Sequence, residues 1–145
     1  MGMCFALHSV SDANIKKILE SPPLIWRLLA PDNPEIYLES VNEAKKGFFF
    51  SSLFGYKKKE PDQPIPSLSF VEGENIDADL DKSWQGIHYC LNKTSYKAEP
   101  PMDFITLGGQ MAGKVEVGYG PARLIDSNTV KAIHERLAKL TVEDL

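Results

Sequence analysis

The sequence predicts an α+β fold, a small and mainly antiparallel sheet packed with several helices in a single compact domain spanning 1–145. Three observations lead there. Helical and period-two apolar patterns both occur along the 145 residues, without the strand–helix–strand alternation of a parallel sheet. Proline and glycine pairs cut the chain into short pieces, and no internal repeat is present. Hydrophobic residues make up 43% and charged residues 25%, as in an ordinary globular protein. A chain of this length buries roughly two-thirds of its unfolded surface, so a core forms without metal or disulfide staples.

The elements follow in order. Met3 to Val10 alternates as a strand does. Ser11 or Asp12 can cap a helix carrying Ile15, Ile18 and Leu19, which Pro22-Pro23 ends. Pro23 opens a second helix through Leu24, Ile25, Leu28 and Leu29. Asn33-Pro34-Glu35 opens a third, reaching the Lys45-Lys46-Gly47 region. Tyr56 to Ser67 holds three prolines and reads as an exposed linker within the domain. Asp79 or Asp81 is expected to cap a helix from Leu80 to Asn92, with Leu80, Trp84, Ile87, His88 and Leu91 on one face. Phe104 to Leu107 suits strand or helix. Val115, Val117 and Tyr119 alternate as a strand, Gly120-Pro121 interrupts it, and Leu124-Ile125 continues the sheet. Asp126 or Ser127 caps a helix with Val130, Ile133, Leu137 and Leu140 inward, and Thr141 to Asp144 starts another.

Composition narrows the function classes. The net charge is −4 with a pI near 5.4, unlike a general nucleic-acid binder. No apolar run is long enough for a membrane-spanning helix. Neither nucleic acid nor membrane is therefore the expected partner. Cys4 and Cys90 lie among apolar residues without zinc-clip spacing, and both are expected to be buried. The N-terminus has no signal-peptide pattern, and Ala6 stands where a myristoylation site wants Ser or Thr. A cytoplasmic location is the natural expectation.

Several motifs fail on inspection. Gly108 to Lys114 has P-loop spacing, but Val115 replaces the magnesium-binding Ser or Thr and strand alternation follows where a helix is needed. It reads as a glycine-rich connection. Gly118-Tyr119-Gly120 starts a dinucleotide fingerprint but puts Arg123 at the third glycine. Asp77, Asp79 and Asp81 imitate an EF-hand, yet Lys82 and His88 occupy its glycine and glutamate positions. Carboxylates gathered at a helix N-terminus are the simpler account. Lys45 to Lys59 mixes five lysines with Phe48, Phe49, Phe50, Phe54 and Tyr56, a pattern that can meet bases or anionic lipid. Five carboxylates between Glu72 and Asp81 can neutralise it instead. No metal site and no cofactor motif emerges.

One constellation survives. Asp81, Trp84, His88 and Leu91 advance at helical spacing and should share a face. Tyr119-Gly120-Pro121-Ala122-Arg123 contains a bend that would aim Arg123 toward that face. An aromatic wall, an imidazole and a guanidinium would then line one depression suited to a carboxylate or phosphate. Against this, a histidine on an apolar face is usually a satisfied core residue, and Arg123 can simply pair with Asp81.

Met1-Gly2-Met3, the run Asp79 to Leu91 and the segment Gly118 to Arg123 resemble the YfbM-like family, bacterial proteins of unknown function. The resemblance covers most of the chain. It implies a cytoplasmic α+β domain with no established reaction, cofactor or catalytic residue. It also implies that relatives run on past Glu143-Asp144-Leu145, making this chain short for the family.

The leading expectation is a non-catalytic binding module that contacts a protein or small ligand through Asp81, Trp84, His88, Tyr119 and Arg123. A toxin-neutralising, immunity-type role is one version. The alternative is a small hydrolase or transferase in which Arg123 binds an anionic substrate and His88 acts as acid or base.

Overall fold

A computed structural model describes residues 4–48 and 64–145. The chain begins with β1 (Phe5–His8), followed by α1 (Asp12–Glu20), a 3-10 turn at Pro22–Leu24, α2 (Ile25–Leu29) and α3 (Pro34–Phe48). Then come β2 (Asp77–Asp81), α4 (Trp84–Asn92), β3 (Gln110–Glu116), β4 (Pro121–Leu124), α5 (Ser127–Leu137) and a 3-10 turn at Val142–Asp144. This is an α+β fold. Its strands form two separate antiparallel pairs, β1 with β2 and β3 with β4, where one sheet was expected.

Local chemistry fixes the helix starts. The Ser11 side chain accepts from the Asn14 amide and opens α1, and the Asp126 side chain accepts from the Thr129 amide and opens α5. Pro22 ends α1 because it cannot continue the ladder, and its fixed φ suits the first position of the next turn. Pro34 does the same for α3.

The core lies between α1, α2 and the β3–β4 hairpin. Ile15, Ile18, Ile25, Leu28, Leu68, Ala112 and Leu124 form it, with Ile18 and Ala112 fully enclosed. Gly113 is the point of closest approach. Its φ is +60, and a Cβ there would fall 2.6 Å from the Pro22 ring. The β3–β4 register shifts between Met111 and Glu116 at this place. Gly113 and Lys114 therefore belong to an irregular strand rather than to a connection, and no helix follows them to receive phosphate.

Glu74 ties the second half of the chain to the first. Its Oε1 accepts from the Ser11 amide at 2.6 Å and from Asn14 Nδ2 at 2.9 Å, while Oε2 accepts from the Val71 amide at 2.7 Å. Asn14 is itself 2% exposed and donates also to the Ser69 carbonyl. These charge-assisted bonds hold the Glu74 carboxyl down to about 2 from an ordinary 4.5, led by the bond with Ser11.

The structure corrects several sequence expectations. Residues 77–81 are strand, not the start of a helix, because β1 supplies a partner: Asp77 pairs with His8, Asp79 with Ala6 and Asp81 with Phe5. The aspartates thus gather along a strand, and α4 starts only at Trp84, with no side-chain cap at Ser83. Cys4 and Cys90 are both exposed. Cys4 precedes β1 and its thiol donates to Asp81 Oδ1 at 3.1 Å, a bond that pushes the thiol pKa up. Cys90 lies two residues beyond the buried His88, which places it on the opposite side of the helix. On α5 only Ile133 is buried, while Val130, Leu137 and, beyond the helix, Leu140 are exposed, because the contact surface takes in the middle of that helix alone. The segment Phe104 to Leu107 is neither strand nor helix but a run of turns, in which the amides of Thr106, Leu107 and Gly108 converge on the Asp103 carbonyl. Of the expected linker, the described residues 64–67 are exposed, and 56–63 lie outside the described residues, as does most of the lysine–phenylalanine stretch beyond α3.

Candidate functional site

Helix α4 presents Trp84, Ile87, His88 and Leu91 inward and Gln85, Gly86, Tyr89 and Cys90 outward, the amphipathic split that the sequence predicts. Asp81 is not on that face. It ends β2, exposed, with φ at +44, and its amide donates to Asp79 Oδ1. The Trp84 ring is half-buried and tilts against Phe5 of β1, with centroids 6.3 Å apart. Trp84 therefore packs α4 on the first strand pair.

His88 is completely enclosed. Its Nδ1 lies 3.3 Å from Asn92 Nδ2, and its Nε2 has no hydrogen-bond partner among the described residues. The same Asn92 nitrogen donates to the carbonyls of His88 at 3.2 Å and Met102 at 3.0 Å. With Nδ1 accepting, the ring proton sits on Nε2, which is buried. Among the described residues no carboxylate bonds to the imidazole.

Arg123 stands on β4 opposite Met111 of β3, is exposed, and donates from Nη1 to the Leu107 carbonyl at 2.7 Å. Paired residues in antiparallel strands project to the same side, so Met111 and Arg123 share a surface. Tyr119 occupies the turn of this hairpin and is 73% exposed; Met111 is 51% exposed. Gly118 and Gly120 on either side adopt φ of +141 and +124, so the turn geometry holds Tyr119 outward without strain.

Trp84 and His88 thus sit together on α4, and Tyr119 and Arg123 together on the hairpin, whereas Asp81 belongs to β2. Segment 100–108 touches both groups: Met102 accepts from Asn92 and Leu107 from Arg123. A cavity of about 480 Å³ opens between α1, this segment and the start of α5. Ile15, Leu19, Phe104 and Ile125 wall it, with Asp103 and Asp126 at hand. No His, Cys or Ser lines it, and neither His88 nor Arg123 does. Asp126 Oδ1 is committed to the Thr129 amide, which holds its carboxyl below the usual range.

Two participants escaped the sequence reading. Asn92 follows His88 by four residues, a helical contact spacing that could have been noticed. Met111 gave no signal, because its exposure depends on which side of the hairpin meets α1.

A family model described as a domain of unknown function, DUF1877, matches residues 1–145. The chain belongs to this family. No curated protein and no solved structure matches it. Among the described residues of this DUF1877 chain, no helix is long and apolar enough to cross a membrane.

Proposed function

We propose that this DUF1877 chain is a non-catalytic binding module that contacts a protein partner through the outer side of the β3–β4 hairpin. The observation that carries the reading is the grouping of Met111, Tyr119 and Arg123 on one exposed hairpin. These are the residue types that interfaces favour, and tyrosine and arginine dominate binding hot spots. Arg123 is anchored at one nitrogen by the Leu107 carbonyl, so less side-chain freedom is lost on association. An immunity-type role, in which the partner is a toxin, is one form of this function. A cytoplasmic location and membership of the YfbM-like proteins within the family complete the proposal, supported by the segments 79–91 and 118–123. The hydrolase or transferase alternative draws less support from the described residues, among which His88 is enclosed beside an amide rather than a carboxylate.

The test is comparative capture. The wild-type chain and Tyr119→Ala/Arg123→Ala are used as bait in native cell extract, and a protein held by the first and lost by the second is titrated calorimetrically. Each substitution should weaken that complex by about 2 kcal/mol, the scale of a hot spot. A partner that binds both baits equally would move the interface elsewhere. Turnover of a phosphate- or carboxylate-bearing substrate that vanishes in a folded His88→Ala variant would favour the enzyme.

A further inference from the structure

We infer that the depression at the end of α4 binds a monocarboxylate with a short apolar body, a second site independent of the hairpin. It has a volume of about 370 Å³ and lies where α4, the segment after it and the last turn of α5 meet. Leu91 and Met102 form an apolar floor, and Met102 is 6% exposed. Lys97 and Arg136 line the depression from different elements, and neither side chain has an ion-pair or hydrogen-bond partner among the described residues. The Glu99 carboxylate lines it too, likewise unpaired among the described residues.

The three charges select the ligand. Two cations and one carboxylate leave a single positive charge, which a monoanion balances. A dianion such as phosphate would leave the depression with a net negative charge beside Glu99 and costs more to strip of water. Arg136 offers a planar fork and Lys97 a mobile ammonium, so together they can hold both oxygens of a carboxylate. The Thr94 hydroxyl, also at the depression, can donate a further bond. An apolar floor favours a ligand with a hydrocarbon body over a bare inorganic ion.

The frame is built before any ligand arrives. Lys93 closes α4 in a left-handed conformation at φ +54, its amide donating to the Tyr89 carbonyl at 2.7 Å. Asn92 Nδ2 ties the helix end to Met102, and Thr106 Oγ1 donates to the Tyr96 carbonyl at 3.0 Å. Such tethering lowers the ordering cost on binding.

The chemistry fits a free organic acid or the C-terminus of a peptide, and the experiment separates them. The ¹⁵N-labelled full chain is titrated at constant ionic strength with hexanoate, with acetyl-Gly-Leu bearing a free carboxylate, and with hexanamide as the neutral control. At least one acid should shift the amides of Thr94, Lys97, Ala98 and Glu99 saturably at millimolar concentration, and hexanamide should not. A stronger response to hexanoate assigns a free acid; a stronger response to the peptide assigns a chain terminus. Lys97→Gln/Arg136→Gln should weaken the response about tenfold or more, as loss of charge-assisted bonds requires. Glu99→Gln should strengthen it, and Tyr119→Ala/Arg123→Ala should leave it unchanged. All three lining charges are exposed, and spectra away from the depression report that each variant folds. No saturable response to either acid, an equal response to hexanamide, or unchanged affinity in the double variant would overturn the site.

Discussion

Replacing His88 by leucine should stabilise the protein, an outcome opposite to the usual result of altering a fully buried residue. The Asn92 amide has two hydrogens and faces three acceptors: His88 Nδ1 at 3.3 Å, the His88 carbonyl at 3.2 Å and the Met102 carbonyl at 3.0 Å. Removing the imidazole takes away the longest of these and leaves one hydrogen for each carbonyl. The loss is a fraction of one hydrogen bond. The gain is relief of Nε2, which is buried without a partner among the described residues and costs about 1–3 kcal/mol in that state. Leucine has similar volume, so the packing penalty stays near 1 kcal/mol or below. The balance is a stabilisation of about 1 kcal/mol, or about 3–4 °C in melting temperature for a chain this long. Urea denaturation of both proteins at neutral pH reads it directly, and long-range ¹⁵N spectra of the wild type should show the Nε2-protonated tautomer. Destabilisation by more than 1 kcal/mol with an unchanged fold would refute the reasoning. It would mean that Nε2 has a partner in solution and that the imidazole is held for a purpose.

Other outcomes follow from the same structure. Glu74 has a folded pKa near 2 against 4.5, so its contribution to stability is complete above the higher value and is lost as pH falls toward the lower. Glu74→Gln should therefore lower the melting temperature at neutral pH and flatten its decline below pH 4.5, as acid titrations monitored by circular dichroism will reveal. Trp84→Ala removes a half-buried ring and its contact with Phe5, and should cost about 2 kcal/mol in chemical denaturation; a neutral effect would show that α4 is not held to β1 by this pair. Gly113→Ala must resolve both a positive φ and a clash with the Pro22 ring, and should cost about 1–3 kcal/mol in the same assay. The chain as a whole should bind neither DNA, RNA nor anionic vesicles at physiological salt, where surface charges are screened beyond about 8 Å; salt-sensitive binding abolished by Lys57, Lys58 and Lys59→Gln would contradict this.

Features with local causes are legible in the residues alone. Ser11 and Asp126 cap α1 and α5 because their side chains reach amides three residues on, and Pro22 and Pro34 start turns because their rings fix φ. The inward face of α4 was legible from helical spacing of Trp84, Ile87, His88 and Leu91. Tertiary structure decided the rest. Asp77 to Asp81 has almost no intrinsic preference for a strand, and it becomes one because β1, about 70 residues earlier, offers an unpaired edge. That pairing takes Asp81 off the Trp84 helix and dissolves the four-residue face read from spacing alone. His88 shows the same dependence: periodicity put it inward, but Asn92 and the Met102 carbonyl decide that it meets an amide and no acid. Exposure of Met111, Val130 and Cys90 likewise depends on which neighbour covers each face, because the hydrophobic effect rewards burial without specifying a partner. Contacts within a turn of chain are written in the residues that make them, whereas a sheet edge, a cavity or a buried imidazole exists only once distant segments have met.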